Sequence, residues 1–124
     1  MATVQGIYVA LFGRPGDPLG VKFYQENPDQ LKVLQNSDEY LNRFKDADGN
    51  QLNNQAVVTK IYNDLFGRDP DAAGLEFYVA RLNSGEFTIS DVAIRILDGS
   101  TGSDKSIIDN KVTAADAFTA ALDT

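Results

Sequence analysis

Two stretches of this chain are nearly the same. Ile7-Tyr8-Val9-Ala10-Leu11-Phe12-Gly13-Arg14 returns as Ile61-Tyr62-Asn63-Asp64-Leu65-Phe66-Gly67-Arg68, 54 positions later. The match continues at the same offset through Asp17 and Asp71, Gly20 and Gly74, and Phe23-Tyr24 and Phe77-Tyr78. A fixed offset held this long marks an internal duplication, and it constrains the chain to two similar packing units. Further on the match drifts: Ser37 to Phe44 resembles Ser90 to Leu97 at an offset of 53, so one residue has been lost or gained between the copies.

The apolar residues follow a helical period. Val58, Ile61, Tyr62 and Leu65 fall at i, i+3, i+4 and i+7, as do Ile89, Val92, Ala93 and Ile96, and no run alternates with period two. Ile108, Val112, Ala115, Phe118 and Leu122 extend a similar stripe along the C-terminal part. The spacing predicts helices near 3–12, 18–26, 28–35, 37–45, 53–66, 71–84, 88–98 and 104–122. The expected fold is all-α: a single domain over 1–124, a compact bundle of short helices built from two related repeats, about 3–50 and 55–99. A C-terminal tail, 100–124, closes it with its Ala-rich face.

The duplicated segment reads as a helix stop followed by a helix start. Gly13 and Gly67 stand where a left-handed cap residue is wanted. Asp17 and Asp71 are placed to accept from the free N–H groups of the next helix, and Pro18 presets its first φ. Gly20 and Gly74, costly inside a helix, are expected to admit a backbone or bulky ring, with Phe23 and Phe77 in the core. Arg14 and Arg68 have two readings. They brace the turn, through the carbonyls of the preceding helix or through Asp17 and Asp71, or they grip a carboxylate, phosphate or anionic sugar on a partner. The first is the commoner use of such arginines.

Composition removes whole classes of chemistry. With no Cys and no His, the chain has no thiolate nucleophile, no disulfide and no imidazole acid, base or metal ligand. A net charge of −7 argues against the phosphate backbone of nucleic acid and against anionic membrane surfaces. No segment approaches the roughly 18 apolar residues of a membrane span, and the N-terminus lacks the features of a signal peptide. Fourteen of the eighteen acids are Asp, a bias that suits helix caps first and calcium sites second.

The pattern Tyr62-x-x-Leu65-Phe66-Gly67-Arg68 followed by Pro70-Asp71-x-x-Gly74-Leu75-x-Phe77-Tyr78 resembles a domain of unknown function that recurs in large secreted bacterial proteins, notably of RTX and S-layer type. Ile96-Leu97-Asp98-Gly99, Asp109-Asn110-Lys111-Val112 and Ala117 to Leu122 look like that family too, and the Gly-Arg turn is more distantly similar to phycobilisome linker domains. The resemblance implies a non-enzymatic helical module at the cell surface or outside the cell. It would anchor to surface polysaccharide or lipopolysaccharide, or assemble neighbouring protein subunits, in a chain exported by a type I route and extending beyond this segment. The alternative is a protein-docking linker or scaffold. A hydrolase using two of the Asp residues is a third class, which needs paired carboxylates in a cleft.

Two local candidates remain. Asp46, Asp48 and Asn50 stand at alternate positions like the first ligands of a calcium loop, although Gln51 and Val57 occupy the places where Gly and a bidentate Glu belong. A solvated inter-repeat turn is the simpler reading, with calcium as the only cofactor to consider. Tyr40, which lacks a repeat counterpart, is the candidate glycan contact; Tyr8, Tyr24, Tyr62 and Tyr78 are expected to pack. Because what the copies share explains how helices stop and start, function is expected where they differ: the 46–54 connection, the Pro15-Gly16 turn and the unrepeated tail.

Overall fold

The computed structural model describes residues 3–122; residues 1, 2, 123 and 124 of the expected 1–124 domain lie outside it. It is all-α, with no strand among the described residues and no helix long and apolar enough to cross a membrane. The elements run α1 (Val4–Phe12), α2 (Pro18–Glu26), α3 (Leu31–Gln35), α4 (Asp38–Asn42), α5 (Asn54–Phe66), α6 (Ala72–Ser84), α7 (Ile89–Asp98) and α8 (Gly102–Leu122). A 3-10 turn, Pro28–Gln30, precedes α3, so the predicted helix over 28–35 is split where Pro28 opens the turn. The predicted 37–45 helix ends at Asn42, because Phe44 and Lys45 donate to carbonyls only three residues back.

Local chemistry explains these boundaries. Thr3, Asp17, Ser37, Asn53 and Asp71 each accept a hydrogen bond from the backbone N–H three residues on, and Thr88 and Asp91 form a capping box at α7. At the other ends, Gly13, Gly67 and Gly85 take positive φ.

One core joins the two repeats. Helix α5 lies at its centre, touching α1, α6, α7 and α8. Leu11, Tyr40, Phe44, Val57, Val58, Leu65, Val92 and Ile96 are fully enclosed. The buried positions of α5 and α7, Val58, Ile61, Tyr62, Leu65, Val92, Ala93 and Ile96, follow the helical stripes read from the sequence.

Two apolar expectations are corrected. Phe23 and Phe77 are 49% and 45% exposed rather than core residues. The inward residue of α2 is Val21, and two residues further along a helix the side chain emerges on the far side. On α6 the inward side chains are Leu75, Tyr78, Val79 and Leu82, which leaves Phe77 at the edge under the Arg81 guanidinium, 3.5 Å from its ring centre. Along α8 the inward stripe is Ile108, Val112, Ala115 and Thr119, so Phe118 and Leu122 face outward. Thr119 takes the inward place because its hydroxyl has buried partners there.

Candidate functional site

The two duplicated turns close in the same way. Gly13 and Gly67 adopt φ of +68° and +70°, donating to Val9 O and Asn63 O. Asp17 Oδ1 accepts from Gly20 N at 2.6 Å, and Asp71 Oδ1 from Gly74 N at 2.9 Å. The ring that needs Gly20 and Gly74 is a tyrosine: a Cβ would lie 2.5 Å from the Tyr8 hydroxyl in one copy and 2.8 Å from that of Tyr62 in the other. Burial holds both phenols above the usual value, with smaller upward pushes from Asp17 on Tyr8 and from Tyr78 and Asp71 on Tyr62.

The arginines have other partners than the turn aspartates. Arg14 Nη2 donates to both Glu39 oxygens, at 2.7 and 3.0 Å. Arg68 reaches Asp104 through Nε and Nη2, at 3.0 and 2.5 Å, and donates to Asp69 O through Nη1. Its hydrogen bonds to Asp104 hold this guanidinium above its usual value. Each arginine also lies over an aromatic ring, Arg14 above Phe12 and Arg68 above Tyr62. The helix-end carbonyls are taken by cations from neighbouring elements. Arg43, just past α4, donates to Leu11 O and Ala10 O at the end of α1, and Lys111 of α8 donates to Asp64 O at 2.8 Å near the end of α5. A basic group approaching a helix C-terminus from outside meets the free carbonyls and the negative end of the dipole together.

Of the three places where the copies differ, the 46–54 connection is a tight turn. Asp46 Oδ1 accepts from Asp48 N and Asn50 N, both at 2.9 Å, Gly49 takes φ +83°, and Lys45 and Gln51 form an antiparallel bridge. The carboxylate of Asp46 is thereby engaged with the turn's own amides. Among the described residues no three His, Cys, Asp or Glu side chains form a group suited to a metal ion, so a cation at Asp46, Asp48 and Asn50 has no third carboxylate to draw on.

Tyr40 is corrected outright as a sugar-stacking residue. It is completely buried, edge-on to Phe44, with its hydroxyl donating to Ile89 O of the second repeat. Burial pushes its phenol well above the usual range.

The remaining two places meet. Gly16 N donates to Gln5 Oε1 at 2.8 Å, Gly16 O accepts from Thr119 Oγ1 at 2.6 Å, and Gln5 Nε2 donates to Thr119 Oγ1 at 2.9 Å. Gln5 and Thr119 are both buried, so this closed triangle clamps the Pro15-Gly16 turn to the unrepeated helix. Gln5 is not among the candidates the sequence offered; its place as a polar side chain inside the largely apolar segment Val4 to Leu11 is the signal that could have found it. Thr119→Val would strand Gly16 O and a Gln5 amide proton, and should lower stability by about 1–3 kcal/mol in a denaturant melt; an unchanged midpoint would remove the clamp from the account.

Beside the clamp lies a cleft of about 400 Å³, lined by Arg14, Pro15, Asp64, Lys111, Ala115 and Phe118 among others. Asp64 is paired with Arg43 at 2.6 Å and Lys60 at 3.6 Å. Four of the eleven basic side chains, Arg14, Arg43, Lys60 and Lys111, thus line the cleft or attach to its wall, against the two carboxylates, Asp64 and Glu39, that pair with them. On a chain of net charge −7 this is a local positive site, and Phe118, 55% exposed, supplies a ring at its edge. A second cleft of about 420 Å³ on another side of α8 is lined by Thr3, Leu97, Asp98, Lys105 and Asp109; there the one cation, Lys105, is engaged by Asp109.

The model of a domain of unknown function, DUF4214, matches residues 32–101, more than half of the chain. The chain belongs to the DUF4214 family. Within the matched part lie the second duplicated turn, Tyr40 and Glu39, whereas Arg14, the Pro15-Gly16 turn and Lys111 fall outside it. The DUF4214 match thus covers the second turn and leaves out most of the basic cleft. No curated protein and no solved structure matches the chain.

Proposed function

We propose that this DUF4214 chain is a non-enzymatic binding module of a secreted bacterial surface protein, of S-layer or RTX type, which anchors to surface polysaccharide or lipopolysaccharide. The observation that supports this most is the basic, aromatic-edged cleft where the variant turn meets the unrepeated helix. An envelope polymer bearing acidic groups is attracted by the cations of this cleft, on a chain whose net charge of −7 otherwise repels it. Eight of the eighteen carboxylates are engaged: Asp17, Asp46, Asp71 and Asp91 bond backbone amides, and Glu39, Asp64, Asp104 and Asp109 bond cations. Asp98 and Asp109 both line the second cleft, where Asp109 is held by Lys105.

Co-sedimentation with extracted envelope polysaccharide tests the reading. The chain is expected to pellet with the polymer and to be released as salt rises, because exposed charge contacts are screened over about 10 Å at 0.1 M salt. A chain that stays in the supernatant at low salt, with and without calcium, would refute it. Subunit docking is the second reading, supported by Phe23 and Phe77, two half-exposed rings at equivalent repeat positions. Concentration-dependent self-association abolished by Phe77→Ser would favour it.

A further inference from the structure

The duplication provides an internal control for Arg14, and the two copies are held very differently. Arg68 meets Asp104 side-on through two nitrogens, and the Asp104 side chain is only 17% exposed. Arg14 reaches Glu39 through a single nitrogen, and both side chains are 52% exposed. An ion pair so open to water gains little, because hydration competes with it and two long side chains must be ordered. Glu39 is therefore an easily displaced partner, whereas Asp104 is not. In the aligned second copy the place of Glu39 is taken by Val92, a buried core residue, so the Arg14–Glu39 pair has no duplicate.

Backbone geometry adds a second reason. Arg14 lies between the left-handed Gly13 and the Pro15-Gly16 segment, which the Gln5–Thr119 clamp immobilises. Its Cα is fixed while its guanidinium stays wet, the combination that suits a ligand-gripping arginine: the backbone ordering cost is already met and the head group is free to exchange partners. Lys111 and Phe118 stand across the same cleft.

We propose that Arg14 is the anion-binding residue of this cleft, and that the Glu39 carboxylate occupies the place which an acidic group of a glycan takes on binding. The inference rests on the anchoring reading and specifies its ligand: a polysaccharide bearing carboxylate or phosphate groups. Arg14 releases Glu39 and grips the ligand oxyanion with two parallel N–H donors, Lys111 adds charge, and the Phe118 ring meets an apolar sugar face. No bond is made or broken in the ligand.

Binding of three oligosaccharides of equal length, one of uronic acids, one phosphorylated and one neutral, to the full chain by calorimetry tests this. Arg14→Gln should weaken the acidic ligands roughly tenfold or more, the usual loss when a charged hydrogen-bond partner is removed. Glu39→Gln should tighten them by roughly two- to fivefold, the release of a weak surface pair. Arg68→Gln should leave affinity unchanged. The uronic and phosphorylated arms separate the two sources of the anion. Wild-type affinity in both Arg14→Gln and Glu39→Gln, equal binding of the neutral oligosaccharide, or binding of an acidic peptide alone overturns the proposal. Retention of whole polysaccharide by Arg14→Gln at full strength overturns it while leaving anchoring intact; a wild-type chain that retains no polysaccharide overturns anchoring itself.

Discussion

Tyr40→Ala should lower the free energy of unfolding by about 3–5 kcal/mol, the usual cost of removing a large buried ring. Folded domains have only about 5–15 kcal/mol in total, so much of the variant should be unfolded in mild denaturant. The ring is wholly enclosed, packs on Phe44, and its hydroxyl bonds Ile89 O at the start of α7, which makes it a cross-tie between the first repeat and the second. Tyr40→Phe keeps the ring and should cost about 1 kcal/mol for the lost hydrogen bond.

Alkaline titration should separate the two variants further. Burial raises the folded-state Tyr40 phenol above its ordinary value of 10.0, so the unfolded chain gives up its proton first. The stability from this tyrosine is complete below pH 10.0 and falls as pH rises beyond it toward the folded value. Tyr8, Tyr62 and Tyr78 are shifted the same way and contribute to the same decline, so Tyr40→Phe should flatten the loss without abolishing it. A fall with identical slope in both proteins would remove Tyr40 from the explanation.

Gly16→Ala should be the other large effect. A Cβ there would sit 2.6 Å from Val21 Cγ2 and 2.8 Å from Tyr8 Cδ2, inside the contact distance of atoms that are themselves buried. Overpacking of this kind costs roughly 1–3 kcal/mol, and displacing Gly16 N and O from Gln5 and Thr119 adds up to roughly as much again for groups left unpaired. Thermal unfolding would report the loss. Its second consequence is functional: with the turn unclamped, Arg14 loses its fixed position, so affinity for acidic glycan should fall even where the variant remains folded. Gly16→Ala with wild-type stability would show that the turn adapts and that the clamp is dispensable.

The helices were legible in the sequence because their stops and starts are local. Gly13, Asp17, Gly67 and Asp71 act within three or four residues of themselves, and side chains at such short separations are visible as spacing. Partner identity was not legible. Arg14 meets Glu39 25 residues away, Arg68 meets Asp104 36 away, Tyr40 meets Ile89 49 away, and Thr119 meets Gly16 103 away. No periodicity encodes these separations. Tyr40 looked available because it had no repeat counterpart, yet a residue that joins two copies needs none. Phe23 and Phe77 looked internal because they are large and apolar; their helical phase relative to Val21 and Tyr78 turns them outward. The Pro15-Gly16 turn and the unrepeated helix were visible as differences between the copies, whereas Lys111 of α8 and Arg43 just past α4, distant in sequence, come together at Asp64 only in three dimensions.

Helices at the edge of a bundle open locally before its core does. The Gln5–Gly16–Thr119 triangle opposes this at α1 and α8: it fastens α8 to α1 and to the first turn, so the two helices hold each other as well as α5. Opening of α8 at Thr119 therefore also breaks the buried hydrogen bonds that seat Gln5 of α1 and the Gly16 turn.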